Sequence, residues 1–112
     1  NLQVIMLQDG IGVNHVSLDQ VAMYYSEADS GLYENTGYEG EFWTDLETFS
    51  YAPQGPVTLD RIKKQLQAEM STTHINKAVS FQYYNDMCPT GPGGTNAAAL
   101  RNDYFIFVKS LK

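Results

Sequence analysis

The sequence predicts an α/β fold of parallel β/α units, and three observations carry that reading. A strand-like apolar run is followed three times by a loop and then by a helix-like stretch, the order that builds parallel sheets with crossover helices. The first run, Gln3 to Gln8, is nearly continuous in apolar residues, as suits a strand covered on both faces. The second, Glu41 to Thr48, alternates instead, so that one face carries Trp43, Asp45 and Glu47 and the other Phe42, Thr44 and Leu46.

The helices follow from their starts and stripes. Ser17 and Gln20 form a capping box, in which each end of the pair satisfies an orphan N–H group. The helix that begins there keeps Leu18, Val21, Ala22, Tyr25 and Leu32 on one stripe, and Gly31 and Gly37 mark where it breaks. After the second strand, Phe49 to Pro56 reads as a loop, because two prolines and a glycine oppose any continuation. Thr58 caps a second helix, with Asp60 in its first turn and Leu59, Ile62, Leu66 and Met70 directed at the sheet. The third strand is expected from Lys77 to Asn85. A long proline- and glycine-rich loop follows, Met87 to Thr95, and then a last helix from about Asn96 with Leu100, Tyr104, Phe107, Val108 and Leu111 as its stripe.

Composition narrows the function classes. With 7 basic and 13 acidic side chains the net charge is −6, and no clustered basic face stands ready for nucleic acid. Arg61 to Lys64, the densest basic stretch, falls within the second helix and reads as its solvated face. No apolar run approaches the roughly 18 residues of a membrane span. The single Cys88 excludes an internal disulfide, and no histidine stands near it in sequence to make it a nucleophile. His15 and His74 lack metal-ligand spacing, so neither a metal nor another cofactor is expected.

In a parallel α/β sheet the ligand site lies beyond the carboxyl ends of the strands. All three strands end in polar groups there: Gln8-Asp9, Asp45-Leu46-Glu47 and Gln82-Tyr83-Tyr84-Asn85-Asp86. A face with two carboxylates does not belong under helices, so Asp45 and Glu47 are the candidate catalytic residues and Trp43 lines the floor beside them. The alternative is that Asp45 joins a buried ion pair and Glu47 merely ends its strand. Gln8 and Asp9 point to opposite sides, and periodicity leaves open which of them reaches a ligand. Ser80, Gln82 and Tyr84 share a face and would offer hydrogen bonds to a substrate, with Val79, Phe81 and Tyr83 against the helices. Gly10 and Gly12 permit a tight turn; without a third glycine and a downstream acid they are weak evidence for a phosphate cradle.

Leu7-Gln8-Asp9-Gly10-Ile11-Gly12, Phe42-Trp43-Thr44-Asp45-Leu46-Glu47-Thr48-Phe49, Arg61-Ile62-Lys63-Lys64-Gln65-Leu66 and Phe81-Gln82-Tyr83-Tyr84-Asn85-Asp86-Met87-Cys88-Pro89 together carry a resemblance. The chain resembles a bacterial family of glycosidase-like TIM-barrel domains of unknown function, over nearly its whole length. The resemblance implies that residues 1–112 are the C-terminal part of a (β/α)8 barrel, the last three β/α units. A complete barrel needs about 250 residues. The rest is therefore expected upstream of Asn1 or from another chain. The resemblance also implies an extracellular or periplasmic protein that acts on carbohydrate. Its chemistry would be that of a glycoside hydrolase, with Glu47 as nucleophile or base and its partner carboxyl outside these units. A non-catalytic carbohydrate-binding barrel and a small flavodoxin-like domain are the rival readings.

Overall fold

A computed structural model describes residues 2–51, 54–71, 74–81, 87–88, 90–92 and 94–110. Strand β1 spans Val4–Gln8, a single short helical turn α1 spans Ile11–Asn14, and helix α2 spans Leu18–Ser30. The capping box of α2 forms as expected, the Ser17 hydroxyl accepting from the Gln20 amide and the Gln20 side chain accepting from the Ser17 amide. Gly31 stays helical, and the chain continues through a wider π-type turn, Gly31–Asn35, before β2 at Glu41–Glu47.

The stretch read as a loop holds a small antiparallel hairpin, β3 (Phe49–Tyr51) with β4 (Gln54–Pro56). Helix α3, Leu59–Glu69, follows, capped by Thr58 through the Arg61 amide. Strand β5 is Ile75–Phe81, which starts two residues earlier than the sequence suggests; the rest of the expected strand, 82–85, lies outside the described residues. The last helix, α4, is Gly94–Ser110.

The main sheet is parallel and runs in the order β1-β2-β5, with Val4 opposite Glu41, Gln8 opposite Asp45 and Asp45 opposite Val79. That is chain order, without the reversal that defines a doubly wound, flavodoxin-like sheet. All three long helices consequently lie on one face. Val21 and Tyr25 of α2 pack with Phe42 and Ile75. Ile62 and Leu66 of α3 and Leu100 of α4 pack with Leu46 and Met87.

Among the described residues no long helix covers the opposite face of the sheet, and Val4, Met6 and Val79 are exposed on it. The alternation read in β2 holds: Phe42, Thr44 and Leu46 are buried under the helices, while Trp43 and Asp45 are half-buried on the open face. In β5 the expected facing is reversed. Val79 stands beside Asp45 on the open face, and Ser80 bonds the Tyr104 hydroxyl of α4 on the helix side. Lys77 to Ser80 offers no cleanly apolar side, so alternation alone had nothing to fix its register. Gln82 and Tyr84 lie outside the described residues. Among those described, no helix is long and apolar enough to cross a membrane.

Candidate functional site

The carboxyl ends of β1 and β2 meet in one buried polar cluster. Asp9 leaves β1 just before Gly10, whose φ of 68° starts the α1 turn in a left-handed conformation that glycine adopts without penalty. Asp9 is 4% exposed. Its Oδ1 accepts the Ile11 amide at 3.1 Å, and its Oδ2 accepts the Glu47 amide at 3.2 Å and Gln65 Nε2 at 2.8 Å. The same Gln65 nitrogen donates to the Glu47 carbonyl at 3.0 Å. One carboxylate and one carboxamide thus tie together two strand ends and a helix.

Glu47 is completely buried. The Gly12 and Val13 amides donate to its Oε2 at 2.6 and 2.9 Å, and Gln8 Nε2 donates to its Oε1 at 2.6 Å. The fit depends on Gly12, where a Cβ would lie 2.4 Å from the Phe49 carbonyl oxygen and 3.0 Å from Glu47 Oε2. The residue expected to meet substrate therefore spends one oxygen on the turn folded over it and the other on Gln8. Sequence places Glu47 correctly at the end of β2, but the α1 turn that covers it has no period to announce it.

Asp45, two residues earlier, remains half-buried on the open face. Partial desolvation raises its pKa from the ordinary aspartate value, and the charges of Asp9 and Glu47 add to the rise. Gln8 is its register neighbour on β1 and is exposed, whereas Asp9 is turned inward. Of the two residues left open by periodicity, Gln8 is the one on the accessible face. Half-buried Arg61, on the first turn of α3, sits in the field of Asp9 and Glu47; burial lowers its pKa and the two carboxylates oppose that.

Trp43 lies one pleat repeat further from the strand ends than Asp45. Its indole nitrogen donates to Glu41 at 2.6 Å, Lys77 donates to the same carboxylate oxygen at 2.7 Å, and the ammonium stands 4.7 Å from the ring centre. On the open face β2 thus presents a row of acidic and aromatic groups, Glu41, Trp43 and Asp45, flanked by Val4 and Met6 of β1 and Val79 of β5, and the row ends beside Gln8.

Beneath the sheet lies a second polar set that apolar-stripe reasoning missed. Buried Glu69 accepts from the Thr44 hydroxyl at 2.6 Å, and the Tyr25 hydroxyl lies 2.7 Å from Thr44 and donates to the Leu7 carbonyl at 2.7 Å. Burial pushes the Glu69 pKa up to about 9, with the Asp9 side chain adding to the rise. Met70, expected to face the sheet, is 51% exposed instead. The available signal was Thr44 itself, a polar residue between Phe42 and Leu46 on the helix side, which demands a buried partner.

Residues 1–93 match a family model described as "Domain of unknown function (DUF4434)". The chain belongs to the DUF4434 family. No curated protein matches it. Among solved structures, this DUF4434 chain is similar to one from Bacteroides thetaiotaomicron VPI-5482 titled a "putative alpha-L-fucosidase". The TM-score is 0.69 at 22% identity, over 92% of this chain and 30% of that one. At such identity the likeness is one of fold. The DUF4434 chain spans under a third of its structural neighbour, and the part they share is the parallel β/α arrangement that brings Gln8, Asp45 and Glu47 to one end of the sheet.

Proposed function

We propose that these residues are three consecutive units of a (β/α)8 barrel in a glycosidase-like, carbohydrate-active protein. In this reading Asp45 is the carboxyl that meets the sugar, and Glu47 is the carboxylate that fixes the turn beside it. One observation carries the reading: every long helix among the described residues covers the same sheet face, while the other face, where a barrel interior would lie, leads in alternating steps to Gln8 and Asp45 at the strand ends. Barrel enzymes keep their sites at that end. The fold shared with a protein titled as a fucosidase supports a glycoside as substrate class.

The chemistry follows from the environment of Asp45. A carboxyl whose pKa is raised by burial and by neighbouring carboxylates is suited to donate a proton to the oxygen of a leaving group, the acid role in glycoside cleavage. The second carboxyl comes from outside these three units. Glu47 would take a nucleophilic role only if the α1 turn released it. A partner about 5 to 5.5 Å from Asp45 would give retention and one about 6.5 to 9.5 Å away inversion.

The test is hydrolysis of a panel of aryl glycosides, an α-L-fucoside among them, by the complete protein and by its Asp45→Asn variant. Turnover that the substitution removes supports the proposal. Sugar binding with no turnover in the native protein would replace it with a carbohydrate-binding barrel.

A further inference from the structure

Gln65 is an odd residue to find wholly buried on the sheet-facing side of an amphipathic helix between Ile62 and Leu66. Its orientation is chemically fixed, because both groups in front of Nε2, the Asp9 carboxylate and the Glu47 carbonyl, are acceptors. Its Oε1 consequently points away and is buried without a hydrogen-bond partner among the described residues. An unsatisfied buried carbonyl opposes folding, so helix packing does not account for Gln65. What it supplies is a simultaneous hold on two strand ends.

We infer that Gln65 is a positioning residue that sets the mouth of the sheet from the outer helix layer. The chain of contacts is continuous. Gln65 holds Asp9 Oδ2 and the Glu47 carbonyl; Asp9 in turn holds the Ile11 and Glu47 amides; the α1 turn so placed delivers the Gly12 and Val13 amides to Glu47. Glu47 then holds the Gln8 carboxamide, which lies on the strand residue paired with Asp45. A shift of α3 along its axis would pass through this chain to the two groups on the accessible face. The assignment to a glycoside site rests on the function proposed above, whereas the mechanical role of Gln65 does not.

The experiment uses Gln65→Met in the complete protein, which keeps length and removes both donated bonds, with Lys64→Ala on the same helix as control. Two quantities are read: amide hydrogen exchange, and kcat and KM on whichever aryl glycoside the native protein cleaves. The expected result is exchange at Ile11, Gly12 and Val13 accelerated by about tenfold or more, the scale of a lost bond to a charged group, with α4 amides unchanged. A fall in kcat that exceeds any change in KM is expected alongside it. Lys64→Ala moves neither. Unchanged exchange at Gly12 and Val13, or equal acceleration in α4, overturns the inference. If the native protein cleaves no glycoside, the functional proposal fails, and the exchange data still decide the role of Gln65. Should Gln65→Met not fold, Gln65→Asn, whose shorter amide cannot span both acceptors, is read by the same criteria.

Discussion

The Gly12 amide and the Glu47 carboxylate meet at 2.6 Å, an approach open only to a residue without a Cβ. Gly12→Ala would place its methyl 2.4 Å from the backbone oxygen of Phe49, so either the hairpin or the α1 turn must move. The expected cost is about 1 to 3 kcal/mol, that of forcing an extra methyl into a packed site. Gly31→Ala is the contrast. Its φ is −58° and nothing lies within 4 Å of the added atom, so a gain of about 0.4 to 1 kcal/mol is expected. Chemical denaturation of both variants checks the pair; equal effects would mean that the turn does not close on Glu47.

Asp45 and Glu47 share a strand face but should respond oppositely to loss of charge. In Glu47→Gln the amide oxygen can still accept from Gly12 and Val13, while Gln8 must turn its own carboxamide to meet the new NH2 group. Charge-assisted bonds become neutral ones, and a loss of about 1.5 to 3 kcal/mol is expected. Asp45→Asn removes a carboxyl that its neighbours Asp9 and Glu47 already repel, so stability holds or rises slightly. Glycoside turnover should fall by about a hundredfold or more, the scale of a lost general acid. Lys64, paired with Asp60 on the exposed surface, should tolerate alanine within about 0.5 kcal/mol. Melting temperatures and initial rates of the three variants separate these outcomes.

The Tyr25 hydroxyl bridges α2 to the sheet, donating to the Leu7 carbonyl and lying beside Thr44. Burial raises its pKa, so it stays a donor across the accessible pH range. Tyr25→Phe keeps the ring stacked near Phe42, at 6.1 Å between centres, and removes only the hydroxyl with its contacts to Leu7 and Thr44. A loss of about 1 to 3 kcal/mol is expected because the Leu7 oxygen loses a buried partner. Denaturant midpoints at unchanged m-value test this, and a change below about 0.3 kcal/mol would show that the oxygen finds another donor.

The legible parts of the fold were those where a period and a cap agreed. Ser17 with Gln20, and Thr58 with Asp60, started helices where the structure starts them. β2 announced its two faces because Trp43, Asp45 and Glu47 differ so sharply from Phe42 and Leu46. The site was legible as a place and less so as a set of roles. Alternation says which way Glu47 points, but it does not say that a four-residue turn will fold over it. Apolar-stripe reasoning also passes over Gln65 and Glu69, whose burial depends on partners 56 and 25 residues away in sequence.

Glu69 gives the clearest pH signature. It faces Thr44 of β2, with Tyr25 of α2, Asp9 at the end of β1 and Asp45 of β2 in its field. Burial and the Asp9 side chain lift its pKa from 4.5 to about 9, against the opposing hydrogen bond from Thr44. Below the unfolded value both states carry the proton, and this group contributes no slope. Between the two values the unfolded chain ionises while the folded one holds its proton, so stability falls as pH rises, by up to about 1.4 kcal/mol per unit. Above about 9 both states are ionised and the contribution levels off. Glu69→Gln keeps a neutral acceptor for Thr44 and has no proton to lose. The variant should therefore match the native protein near pH 4 and exceed it by a growing margin from about pH 5 to 9. Denaturation of both proteins at pH 4, 6 and 8 measures that margin directly. A margin constant across the series would show that Glu69 does not hold the proton.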